Sequence, residues 1–117
     1  MPEHALPAKL QGEIANLQAM NAQLQQAAAQ RAQFEMLKAE TAEALDALAK
    51  LPDGAAVYRN VGSLLLQEKG KAAAEARLKE DLETLEVRLT RLAKQEQAIR
   101  ESAQALQKKI QAALPKA

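Results

Sequence analysis

Glu80, Asp81, Glu83 and Glu86 form the densest cluster of chemistry-bearing side chains in this chain. Carboxylates so grouped could hold a calcium ion, but only where a loop makes them converge on one point, and no such loop surrounds them. On a helix surface the same run is a solvated charged face. The other reactive types are scarcer still. The only histidine is His4 and cysteine is absent, so the N/S ligand set of a zinc site and thiolate chemistry are both missing. Gly70-Lys71 is a linker and not a phosphate loop, because no glycine-rich turn precedes a helix with a Lys-Ser/Thr ending. The expectation is a protein that is not an enzyme and that uses no metal and no cofactor.

Two long helical stretches flank a short β-like island. From about residue 9 to 50 there is no proline, and Leu10, Ile14, Leu17, Leu24, Phe34, Leu45 and Leu48 recur at the 3/4 spacing of one helix face. Leu51-Pro52-Asp53-Gly54 ends that helix, since proline disfavours helical geometry before it and Asp-Gly is turn chemistry. A β-hairpin is expected over about 56–68, with Val57, Tyr58 and Val61 before a Gly62-Ser63 turn and Leu64, Leu65 and Leu66 after it. A second helix follows over about 71–114. Its Leu78, Leu82, Leu85, Leu89, Leu92, Glu96, Ile99, Ala103, Leu106, Ile110 and Ala113 alternate 4- and 3-residue steps, and Pro115 stops it. Each helix has about 40 residues and would span roughly 60 Å. The whole chain, residues 1–117, reads as a single domain of mainly α class: a long antiparallel two-helix coiled coil with one central β-hairpin.

The two seams match each other when the chain folds back on itself. Leu10 with Ala113, Leu17 with Leu106, Leu24 with Ile99, Phe34 with Leu89, Thr41 with Leu82 and Leu45 with Leu78 all have the same total of residue numbers, as antiparallel partners must. This alignment reads a local slip into the first seam between Leu24 and Phe34. Arg31 and Lys38 on the first strand and Glu96 on the second interrupt the apolar seam. Either Arg31 pairs with Glu96 and helps fix the register, or the two cations extend out of a narrow seam along their aliphatic stems.

Composition agrees with helices in place of a bulky globular core. There is one Phe, one Tyr and no Trp, so the side chains that usually fill a compact interior are missing. The formal net charge of +1 is spread over interspersed acids and bases, which gives no footprint for nucleic acid or an anionic membrane. Residues 1–7 lack a basic start followed by an apolar run, and no stretch approaches the roughly 18 apolar residues of a membrane span. A cytoplasmic chain with no nucleic-acid or membrane partner is expected.

The island and its flanks carry a family resemblance. Val57-Tyr58-Arg59, Val61-Gly62 and Leu64-Leu65-Leu66 resemble the central hairpin signature of β-class prefoldin subunits. Leu78-Lys79-Glu80-Asp81-Leu82-Glu83-Thr84-Leu85, with Arg88 and Lys94-Gln95-Glu96, is similar to that family's second helix, and Leu6-Pro7 with the Gln-rich first helix to its N-terminal arm. The single hairpin points to the β class, because the α class carries two. The alanine-rich Lys71 to Ala76 departs from the pattern, lacking the usual acidic opening of the second helix.

The resemblance implies a molecular chaperone subunit that holds unfolded proteins at coiled-coil tips and passes them to a group II chaperonin. It implies that hairpins of several subunits close an inter-subunit β-barrel, with an α-class subunit or further copies of the chain in a hexamer. Elementary physics reaches part of this unaided. A lone hairpin is marginal in water and exposes two edges, so Val57, Val61, Leu64 and Leu66 on one face, and Tyr58 and Leu65 on the other, should seek partner subunits around the Gly62 turn. Leu6, Leu10, Ile14, Leu17 and Met20 at one end of the first helix, with Leu106, Ile110 and Leu114 of the second, would form the client-binding tips. For the inner ones an ordinary seam role competes. The alternative function is a structural coiled-coil tether binding one defined protein partner.

Overall fold

The computed structural model describes residues 6–114; His4 and Pro115 lie outside them. Two helices enclose two strands in the order α1 (Ala8–Ala49), β1 (Tyr58–Val61), β2 (Leu64–Gln67) and α2 (Lys71–Ala113). The expected helix limits therefore hold to within one residue. The chain divides into two compact units, one of Met1–Arg31 with Arg91–Ala117 and one of Ala32–Thr90.

In the first unit, the beginning of α1 lies against the end of α2. Glu13 faces Lys109 and Arg31 faces Glu96, so residue numbers rise along one helix as they fall along the other, the antiparallel sense expected. Leu10, Ala27, Leu92, Ala103 and Ile110 are buried. Leu17, Leu24, Ile99 and Leu106 are half-buried beside them. Buried Ala27 corrects the reading of the first seam. The spacing runs Leu24, Ala27, Arg31 in steps of 3 and 4, so the heptad is uninterrupted and there is no slip. Alanine adds little apolar area, and its place on the seam is hidden in a sequence rich in alanine. Ala113, read as seam, is exposed at the last residue of α2.

The second unit holds the hairpin. Its β1 pairs antiparallel with β2 in the register Tyr58 to Gln67, Arg59 to Leu66, Asn60 to Leu65 and Val61 to Leu64, and a bond from the Glu68 amide to the Val57 carbonyl at 2.8 Å continues the ladder. Gly62 turns the chain with φ +59° while Ser63 keeps a negative φ, the Gly-first two-residue turn whose twist suits a hairpin. The approach to β1 is a second turn closed by the Ala55 amide on the Pro52 carbonyl at 3.1 Å, with Gly54 at φ +96°. Below it, Leu48, Ala74 and Leu85 are buried, and the Arg88 guanidinium lies 5.8 Å from the Phe34 ring centre, within cation–π range.

Candidate functional site: an exposed hairpin and the helix ends

The alternation of side chains along paired strands sorts the hairpin into two faces. The observed register puts Val57, Arg59, Val61, Leu64 and Leu66 on one and Tyr58, Asn60 and Leu65 on the other, as the sequence predicts. Both faces meet solvent. Leu64 is 61% exposed, Leu65 63% and Tyr58 54%, with Val61 and Leu66 exposed as well; Val57 and Arg59 are half-buried. Among the described residues neither strand has a third neighbour, so both outer edges carry unpaired backbone donors and acceptors. Such an apolar, open-edged hairpin is a template for pairing with another chain.

Charged groups hold the hairpin's base. The Arg77 Nε donates to Glu68 Oε1 at 2.8 Å and its Nη1 reaches Asp81 Oδ2 at 3.3 Å. The Lys71 ammonium donates to the carbonyls of Leu51 at 2.8 Å and Ala49 at 3.3 Å, satisfying acceptors left orphaned at the end of α1. Asp53 and Glu75 lie 3.9 and 4.0 Å from the same ammonium. Between these anchors and β1 opens a notch of about 400 Å³, lined by Leu48, Leu51, Val57, Tyr58, Ala74 and Leu78 among others. Sequence reasoning missed both the anchors and the notch. Lys71 had signalled only a departure from a family pattern, and a cavity made by three segments leaves no local trace.

The helix ends are a mixed surface. Leu10 is 4% exposed and Ile110 is 6%. Leu6, Ile14, Leu17, Met20 and Leu106 are half-buried, and Leu114 is exposed. The buried pair is seam, unavailable to a ligand while the turns stay closed. Further along, the Arg31 Nε donates to Glu96 Oε1 at 2.8 Å, with Arg100 Nη2 at 3.9 Å from the other oxygen. Glu96 is 5% exposed, and Lys38 is half-buried. The pairing reading of Arg31 thus has its geometry. The acidic run does not converge: Glu80, Asp81, Glu83 and Glu86 are all exposed, Asp81 being taken by Arg77. Among the described residues no helix is long and apolar enough to cross a membrane.

Known proteins share this arrangement over nearly its whole length. The sequence profile of the family described as "Prefoldin subunit" matches residues 11–117. The chain belongs to the prefoldin family. It is 42% identical to prefoldin subunit beta of Methanosarcina acetivorans, over 96% of each chain. To the prefoldin subunit beta of Thermococcus kodakarensis it is 40% identical over 93% of this chain and 92% of the other. Among solved structures, the crystal structure of the prefoldin beta subunit from Thermococcus strain KS-1 superposes with a TM-score of 0.82 at 37% identity, covering 97% of this chain and 98% of that one. The β-class resemblance read from the hairpin signature is therefore correct. The chain is a chaperone subunit of the prefoldin family and not an enzyme, and such subunits work in oligomers with other prefoldin subunits.

Proposed function

We propose that this prefoldin subunit is a cytoplasmic holdase. Its hairpin, through Val57, Tyr58, Val61, Gly62, Leu64, Leu65 and Leu66, joins the hairpins of neighbouring subunits in a β-barrel. The neighbours are α-class subunits or further copies of the chain, in a hexamer. Closing the barrel covers both open edges and buries aliphatic side chains that a lone hairpin leaves in water. The apolar notch beside β1 adds surface for the same partner. The observation that carries this reading is the exposure of Leu64, Leu65 and Leu66 on a two-stranded sheet.

Clients are held at the helix ends, by Leu6, Leu10, Ile14, Leu17, Leu106, Ile110 and Leu114. Leu6 and Leu114 are reachable directly, and the others become so as terminal turns fray. Several weak apolar contacts from several subunits grip a non-native chain without sequence specificity, and the client then passes to a group II chaperonin. Family membership disfavours the tether.

Light scattering on the purified chain, with an aggregation-suppression assay on the same peak, tests the proposal. The expected result is a discrete oligomer that keeps an unrelated unfolded client soluble, either alone or after an α-class subunit is added. A monomer that ignores the client even with that partner would overturn it.

A further inference from the structure

Arg59 stands apart from the other charged groups around the hairpin. Glu68 is taken by Arg77 at 2.8 Å and Asp53 lies 3.9 Å from the Lys71 ammonium, whereas among the described residues no carboxylate pairs with Arg59. It is half-buried, on the face of β1 that also carries Val57 and Val61. It also lines the notch of about 400 Å³ beside β1, and no acidic residue is among that lining. An unpaired cation thus stands at the edge where a further strand would add, next to an apolar hollow. We propose that the strand docking on β1 belongs to a chain other than this one and brings an aspartate or glutamate to Arg59, which thereby selects against a second copy.

The hairpin's own sequence cannot supply that charge. Val57 to Gln67 contains no acidic residue, and Glu68, the next residue, is already held by Arg77. Two copies that add β1 to β1 about a two-fold axis keep each face on its own side of the new sheet, so the two Arg59 side chains come directly opposite or diagonal to each other. Like charges so placed repel. A copy that offers β2 in place of β1 meets Arg59 with leucines and leaves it unpaired. An apolar strand with one carboxylate satisfies both features at once, the acid on Arg59 and an apolar side chain in the notch. Discrimination by a repulsive contact as well as an attractive one is how specific interfaces exclude the wrong partner. The inference rests on the proposed joining of hairpins and decides which kind of neighbour β1 accepts.

The test mixes full-length chains that differ only at residue 59 and follows association by light scattering over a concentration series. The wild type mixed with its Arg59→Glu variant should associate about fivefold more tightly than either chain alone, since opposite charges then replace like ones. Arg59→Gln alone, which removes the repulsion without adding an attraction, should fall between wild type and the mixture. A mixture no tighter than the wild type alone would overturn the inference. So would an Arg59→Glu variant that self-associates as tightly as the mixture, because loss of the arginine would then be the cause, and so would equal self-association of Arg59→Gln and wild type. Leu64→Thr with Leu66→Thr in both chains should abolish the gain of the mixture. A gain that survives them lies away from the hairpin and fails the assembly reading itself, and the inference with it.

Discussion

At the scale of single residues, the contact between Arg31 and Glu96 is the one most open to measurement. Glu96 is buried while the Arg31 side chain is 46% exposed, so water screens one end of the pair and its worth falls well below that of a fully buried bridge. Arg31→Ala should still cost roughly 1–2 kcal/mol, because it leaves a buried carboxylate with only Arg100 nearby. A double-mutant cycle with Glu96→Ala, read by urea unfolding at fixed protein concentration, should give a coupling of about 1 kcal/mol. Coupling near zero would return Arg31 to the role of a cation extended from the seam. Gly62 makes a second point at this scale. An added Cβ would meet no atom within 4 Å, so any penalty comes from the backbone alone, held at φ +59°. Gly62→Val should therefore cost about 1–2 kcal/mol and weaken assembly, whereas Gly62→Asn should cost much less. Equal sedimentation profiles for the two variants would remove the left-handed turn from the account.

At the scale of elements, the hairpin is held at its base by charge. With Glu68 paired to Arg77 at 2.8 Å, strand β2 ends on a contact to α2 that fixes where the sheet stands. Arg77→Met keeps the apolar stem and loses the pair; amide exchange over Tyr58–Gln67 should then quicken about fivefold, corresponding to ~1 kcal/mol of local opening. Unchanged protection would mean that the turn and ladder hold the hairpin unaided. These elements were unequally legible. α2 was legible from Leu78 to Ile110, because Leu and Ile fill almost every seam position there and only Glu96 and Ala103 interrupt them, while Ala113 beyond them was misread as seam. The strands were legible because β-branched and aromatic residues before the turn and a run of leucines after it flank a turn that glycine makes easily. Ala27 was not, since burial of so small a side chain leaves no signature, and the slip inferred in its place was an artefact of skipping it. The Lys71 and Arg77 anchors were illegible because their partners at Leu51 and Glu68 come from other segments.

At the scale of the whole molecule, assembly and client holding are assigned to separate parts of one chain, and that separation has a measurable consequence. The residues proposed for assembly, Val61, Leu64 and Leu66, lie on a hairpin whose apolar face is open to solvent, so polar replacements there relieve exposure in the free subunit while removing the gain from association. Val61→Thr, Leu64→Thr and Leu66→Thr together should leave far-UV helicity unchanged and shift the scattering mass from oligomer to single subunit. Client suppression should fall with it, because weak sites on separate subunits no longer act on one client chain. Leu6→Ser, Leu10→Ser, Ile110→Ser and Leu114→Ser should do the reverse, keeping the oligomer and losing suppression. Leu10 and Ile110 are buried seam residues, so this second set also loosens the closed helix ends, and its control is the pair Leu6→Ser and Leu114→Ser, which leaves that seam intact. If holding depends on reachable apolar groups, the pair alone should weaken suppression measurably. Should only the full set do so, the clients depend on the opened seam. Full suppression by the fourfold variant would refute the assignment of clients to these ends, whatever the oligomer does.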